Sequence, residues 1–193
     1  MSKYTLQDCI DLATFAHRHQ FDKAGEPYIK HPLRVLESVK AQGAQGYVQM
    51  AAVLHDVTED TPFTSEMLLT LGVPEAAVEI VRLVDRDVSE EVYSFIDKNE
   101  HNTVWVRLRE RGITNKDEFY YEAIKQNPGA VMVKLADIGD NLQPWRLSYL
   151  PPETQSRLRA KYAKAIELLN PKPVNHGFID PTVTFDPFKP GGH

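Results

Sequence analysis

The sequence predicts an all-α fold, a bundle of about eight helices with little or no sheet. Three observations predict it. Apolar residues recur near helical spacing in segment after segment. Strand-like alternation is scarce and no internal repeat is visible. Breaks containing glycine or proline separate the apolar segments. The length, 193 residues, suits one domain with room for an insertion or a tail. A chain of this size buries roughly 70% of its unfolded surface and needs no covalent staple.

The first helix is expected over 5–20. Thr5 and Asp8 form a capping-box-like pair, and Leu6, Ile10, Ala13 and Ala16 share one face. FDKAGEPYIK follows as a loop with Gly25 and Pro27. Pro32 then suits the first turn of a helix that runs to about Lys40, closed by Gly43 and Gly46. Residues 47–59 make the most apolar helix, YVQMAAVLHDVTE. Two more helices, 64–71 and 74–84, start at Thr64 and Pro74 and are separated by Gly72. The stretch 85–113 is polar and mixed, with a short helix expected at 90–97. A helix at 115–126 is expected to be capped by Thr114. After the NPG break, another runs from about Ala130 to Leu142, and Pro151 and Pro152 open a last long helix ending near Leu169. The tail, 171–193, holds five prolines and reads as extended or irregular.

Composition narrows the function. Hydrophobic residues are 42% and charged residues 25% of the chain, ordinary globular values. A single cysteine, Cys9, excludes an internal disulfide and a multi-cysteine zinc module. The first residues carry charges where a signal peptide needs its apolar stretch, and no apolar run approaches the roughly 18 residues of a membrane span. The expectation is a cytoplasmic protein in a reducing compartment. A net charge of −5 argues against a broad nucleic-acid-coating face, yet leaves room for a small anionic substrate in one locally cationic pocket.

Three segments carry chemistry. In AAVLHDVTED an apolar helix is interrupted by His55, Asp56, Glu59 and Asp60. Desolvating one carboxylate costs several kcal/mol unless a partner or metal compensates. The alternative is a helix end emerging into water, although acids there oppose the helix dipole. In KLADIGDN, Asp137 follows an apolar run and Asn141 stands one turn later, either a structural hydrogen-bond pair or a ligand beside a substrate-anchoring amide. GEPYIKHP ends in His31-Pro32; a lone histidine there is ordinarily a surface or helix-entry group. Together His31, His55, Asp56 and Asp137 supply two imidazoles and two carboxylates, a set suited to a borderline-to-hard divalent ion. Four such ligands on a six-coordinate ion leave two positions open, which favours manganese, iron, magnesium or expanded zinc. Lys134 and Arg146 read as surface cations with offsetting of substrate charge as the alternative, His17 and His19 as exposed helix-end histidines, and Trp145, Tyr149 and Tyr162 as packing residues with stacking or pocket-lining roles as alternatives.

GEPYIKHP, VLHDVTEDT and VKLADIGDN, with their His…His-Asp…Asp order, resemble the HD-domain metal-dependent phosphohydrolases, in particular the RelA/SpoT hydrolase branch and the small alarmone hydrolases. The resemblance spans about residues 5–170. It implies an HD-domain bundle over 1–170, with 86–113 as an insertion or lid and 171–193 as a proline-rich extended tail. It implies that His31, His55, Asp56 and Asp137 bind the metal, usually manganese in this branch, and that Glu59 and Asp60 match an ED pair that helps activate the attacking water. Asn141 and Lys23 match groups facing the substrate; Lys134 and Tyr162 are further substrate-binding candidates. The implied reaction is removal of a 3′-pyrophosphate from (p)ppGpp or a (p)ppApp-like nucleotide. The implied partner is a small nucleotide; a homo-oligomer is left open.

The chain departs from this pattern in three places. The usual Arg-Lys-Ser-Gly loop reads Asp22-Lys23-Ala24-Gly25, reversing a charge that resembles a base-stacking and phosphate-steering group. The usual LADRLHN reads LADIGDN, with Ile138 and Asp140 in place of Arg and His. The usual Val-Thr-Lys reads Val84-Asp85-Arg86. These departures keep two other readings open, an HD nucleotidase or dNTP triphosphohydrolase acting at a 5′-phosphate, and a nucleotide-binding HD module without turnover.

Overall fold

The computed structural model describes residues 4–98 and 103–170. The expected tail at 171–193 lies outside the described residues. Among these, the chain folds into twelve helices: α1 Leu6–Ala16, α2 Lys30–Ala41, α3 Tyr47–Leu54, α4 Val57–Asp60, α5 Ser65–Leu71, α6 Glu75–Val84, α7 Arg86–Asp97, α8 Thr103–Glu110, α9 Lys116–Lys125, α10 Pro128–Asn141, α11 Pro144–Ser148 and α12 Pro152–Leu169. The only β pairing among the described residues is an isolated bridge between Phe21 and Pro27, which pinches the base of the loop between them. The fold is all-α as expected. Twelve helices replace the expected eight because α4 and α11 are too short to show a hydrophobic period, and because the polar stretch after α6 is helical.

Local signals explain most ends. Thr5 and Asp8 close a full capping box: Asp8 N–H donates to Thr5 Oγ1 at 3.2 Å and Thr5 N–H donates to Asp8 Oδ2 at 2.7 Å. That helix stops at Ala16, four residues before the expected end, with His17 as its cap. Gly72 ends α5 in the left-handed region, at φ 94°, where a Cβ would be strained. The cap of α9 is Asn115, whose side chain accepts from Glu118 N–H, rather than Thr114; Thr114 instead donates its own N–H to Glu118. Asn127 caps α10, and Pro128 occupies its first turn.

The main core is built on α3, which packs against α1, α2, α6 and α10. Val53, Leu54, Ile80 and Val81 are fully buried within it. Each such side chain contributes about 1.5–3 kcal/mol relative to exposure. Gly129 sets how closely α10 approaches: a Cβ there would meet Ile80 Cδ1 at 2.7 Å and Val48 Cγ2 at 3.0 Å. That close approach brings α10, and with it Asp137, toward α2 and α3. A second, smaller core contains Ile96, Trp105, Leu108, Ile113 and Phe119, with Val92 and Tyr93 packed on it. It joins α7 and α8 to α9, so the described part of 86–113 is packed helical structure. The short helix expected at 90–97 is the C-terminal two-thirds of a longer one that starts four residues earlier, where Asp85 caps it by accepting from Val88 N–H.

Candidate metal centre and active site

His31, His55 and Asp56 offer ligand atoms within 4.8 Å of one another, and Asp137, from a third part of the fold, approaches both histidines. His31 lies in the first turn of α2 and Asp137 in the last turns of α10. His55 and Asp56 sit where the expected 47–59 helix breaks into α3 and α4. At Asp56 the backbone turns to φ −97°, ψ −3°, sparsely populated space where active-site residues recur. The break places His55 inward while Glu59 and Asp60 on α4 face the open side. His31 Nε2 lies 3.4 Å from Asp56 Oδ2 and 3.3 Å from Asp137 Oδ1. His55 Nε2 lies 3.1 Å from Asp56 Oδ2 and 4.0 Å from Asp137 Oδ1.

The donors suit a cation. His55 Nδ1 is 2.9 Å from the Ala52 carbonyl, an acceptor only, so the proton belongs on Nδ1 and the Nε2 lone pair points into the cluster. That Nε2 is buried and has no hydrogen-bond partner. On His31, Nδ1 is 2.7 Å from Asp140 Oδ2, which likewise leaves Nε2 free toward the cluster. Two bare imidazole nitrogens and two carboxylates, each group supported from behind, match the chemistry of a divalent-metal site.

In the metal-free cluster protons take the place of the cation. Burial pulls the His31 imidazole down, but hydrogen bonds with Asp137 and Asp140 and the Asp56 charge outweigh it and raise it to about 9. Burial also opposes ionisation of Asp56, yet the neighbouring His55 holds it below the usual carboxylate range. Asp137 is lowered as well: burial acts against this, and Lys134, whose Nζ is 3.0 Å from Asp137 Oδ2, overrides it. Without a cation, a second proton on each Nε2 balances the carboxylates, and a metal would displace those protons to bind the two nitrogens.

The cluster forms one wall of a pocket of about 370 Å³, within the range of small-molecule sites. Lys23, Arg86, Lys134, Arg146 and Lys161 line it, together with Glu59, Asp60, Asn141 and Tyr162. Every expected site residue except His55 therefore reaches the pocket, and His55 stands directly behind it. Burial raises both Glu59 and Asp60 above their ordinary range. Glu59 Oε2 accepts the Arg86 N–H at 3.2 Å. The Tyr28 hydroxyl lies 2.8 Å from both Asp56 Oδ2 and Asp60 Oδ2. Asn141 donates to Asp137 Oδ1 at 2.5 Å, the structural-pair arrangement left open by its spacing.

Several residues sit elsewhere than expected. Of the two readings open for Lys134 and Arg146, the pocket one holds and the surface one does not, because Asp137 and Asp140 draw them inward. His17 is buried, with Nδ1 2.6 Å from Gln20 Oε1 and its ring on Tyr28; only His19 is exposed. Trp145 and Tyr149 are 41% and 63% exposed rather than core residues. Trp145 instead carries the Arg34 guanidinium over its ring at 4.9 Å.

Two departures prove to be structural. The Asp22 side chain is 3% exposed and its Oδ1 accepts from Ala24 and Glu26 N–H at 2.9 and 3.0 Å, so the negative charge folds the loop. Asp85 is buried, accepts from the Thr58 hydroxyl at 2.7 Å and caps α7. Tyr28, Asp140, Arg34 and Trp145 were missed as site residues. The GEPY and LADIGDN segments that hold the first two were visible, but their partners are not local in sequence.

No protein-family profile matches the chain. It is 32% identical over 147 residues to a guanosine-3′,5′-bis(diphosphate) 3′-pyrophosphohydrolase of Haemophilus influenzae, 76% of this chain but only 19% of that protein's length. It is 31% identical over 154 residues to the guanosine-3′,5′-bis(diphosphate) 3′-pyrophosphohydrolase MESH1 of Drosophila melanogaster, covering 78% of this chain and 74% of the relative. The chain belongs to the HD-type SpoT/MESH1-like hydrolase family. A solved structure of a metazoan orthologue of SpoT, described as hydrolysing ppGpp, superposes with a TM-score of 0.61 at 25% identity, covering 87% of this chain and 88% of that one. The SpoT/MESH1-like fold is thus shared across nearly the whole described bundle.

Proposed function

We propose that the protein is a metal-dependent phosphohydrolase that removes the 3′-pyrophosphate of a (p)ppGpp- or (p)ppApp-like nucleotide. The observation that carries this reading is the convergence of two imidazoles and two carboxylates on the wall of a pocket that also holds five cations. The names of the relatives point to the same substrate class. His31, His55, Asp56 and Asp137 would hold the divalent ion, manganese first, with iron, magnesium or zinc as the other options. Such an ion acidifies water and offsets phosphoryl charge.

The remaining chemistry belongs to the chain. Glu59 accepts the proton of the attacking water, and burial raises its carboxyl in the direction that makes it a better base. Asp60, held by Tyr28, orients that water. Attack at the phosphorus next to the ribose 3′ oxygen breaks that P–O bond. The proton passes to the ribose oxygen, and pyrophosphate leaves with the water oxygen. Lys23 and Lys134 offset the phosphate charge, Asn141 fixes Asp137 and faces the substrate, and Tyr162 lines the nucleoside side of the pocket. In this reading residues 1–170 are the hydrolase domain, 86–113 an inserted lobe, and 171–193 an appended tail. The setting is cytoplasmic, the partner a small nucleotide, with a second copy of the chain as a further option. No described helix is long and apolar enough to cross a membrane.

The test incubates the protein and manganese with ppGpp, pppApp, NADPH and dNTPs and identifies the released species. Pyrophosphate from a 3′ position supports the reading. Phosphate or triphosphate from a 5′ position assigns the chain to the nucleotidases. Nucleotide binding by thermal shift without turnover assigns it a sensing role.

A further inference from the structure

We propose that Asp140, clamped by Arg34 and Arg146, is a positioning residue that holds His31 ready for metal and sets the affinity of the centre. The proposal rests on the metal reading above and goes beyond it, since Asp140 stands where the resembling family has a histidine.

The geometry is specific. Asp140 is 7% exposed and reaches across to α2, where its Oδ2 lies 2.7 Å from His31 Nδ1. Arg34 grips the same carboxylate from two sides, Nε to Oδ1 at 2.6 Å and Nη2 to Oδ2 at 3.0 Å. Arg146 Nη1 bonds Oδ2 as well. Arg146 Nη1 also lies 2.9 Å from His31 Nδ1. The carboxylate oxygen can only accept and the guanidinium can only donate, and of the two contacts that reach His31 Nδ1 the one to Asp140 is the shorter, which favours the proton on Nδ1. That leaves Nε2 as the lone-pair face, directed at Asp56 and Asp137.

The support continues outward. Trp145 holds the Arg34 guanidinium over its ring, and Asp22 stands 3.9 Å from Arg146 Nη2. Two of the chain's departures from the family pattern, Asp22 and Asp140, thus meet on one guanidinium. Four elements, the 21–27 loop, α2, α10 and α11, are tied behind one candidate ligand. Carboxylates that hydrogen-bond the far nitrogen of a ligating histidine fix its ring and raise its basicity, and their loss weakens metal binding about 10–100-fold.

The test titrates the chelator-stripped full chain with manganese by calorimetry, with circular dichroism to confirm folding. Asp140→Asn is expected to weaken binding about 10–100-fold, Arg34→Gln by a smaller factor, and Asp140→Glu to recover part of the loss. In the zinc-loaded protein, the downfield Nδ1–H signal of His31 is expected to move upfield in Asp140→Asn, which reports loss of the carboxylate acceptor, while the affinity of the folded variant separates a positioning role from a structural one. Affinity of Asp140→Asn within twofold of wild type, where His31→Ala loses the metal, overturns this proposal alone. Retention of wild-type affinity by His31→Ala overturns the metal centre itself and this proposal with it. If Asp140→Asn does not fold, Arg34→Gln decides: wild-type affinity there overturns the clamp, and reduced affinity with an upfield His31 signal supports it.

Discussion

Lys134 Nζ stands 3.0 Å from Asp137 Oδ2, one helical turn away on α10, with both side chains largely buried. Burial works against the Lys134 charge, and Asp137 more than compensates, so the ammonium is held well above its usual range. Removing the cation strands a buried carboxylate among its remaining partners. Lys134→Met is expected to destabilise the metal-free protein by about 3 kcal/mol. Saturating manganese should recover part of that loss by supplying a new partner for Asp137. Thermal unfolding with and without metal measures both effects.

Loss of a ligand should exceed loss of a supporting group. His31→Ala and Asp137→Ala are expected to lower manganese content and turnover by more than the ~100-fold upper range of supporting residues. Metal analysis after dialysis, alongside pyrophosphate release, checks this. Unchanged metal content in both variants would return the cluster to a structural role.

Glu59 sets the direction of the pH dependence. Burial raises its carboxyl above the ordinary glutamate value of about 4.3. A base must be ionised to work, so turnover is expected to rise with pH through that raised value and fall away below it. Glu59→Gln should remove this acidic limb and lower kcat by about 10²–10⁴-fold with the metal retained. A pH–rate profile of both forms decides it.

Asp22 makes a prediction about loop order. Its Oδ1 accepts two backbone N–H groups around Lys23. Asp22→Ala is expected to cost about 1–2 kcal/mol in unfolding free energy. Because Lys23 loses its frame, KM should rise more than kcat falls. Denaturant titration and steady-state kinetics measure the two parts.

The legible part of the site was its chemistry. His55 and Asp56 stood out because ionisable groups interrupt an apolar helix, and Asp137 because it follows one. The break between α3 and α4 was not legible, since the periodic pattern of 47–59 continues through it. His17 and Asp140 were not legible as buried groups, because their burial comes from Tyr28 and from α2, far away in sequence. Arg34 and Trp145 share that reason. The α11 helix had a usable signal in Pro144, which sits in its first turn, but five residues hold too little periodicity to show one.

The small cluster around Trp105 and Phe119 meets the rest of the protein chiefly through α9 and the start of α7. Such a satellite unit is suited to open as a cooperative block while the principal interior stays closed. Amide exchange would then show α8 losing protection first and together, with α3 exchanging last. Arg86 connects the two: its N–H binds Glu59 and its guanidinium pairs with Asp117 on α9. Breathing of that outer block would thus be felt at Glu59, on the pocket side of α4.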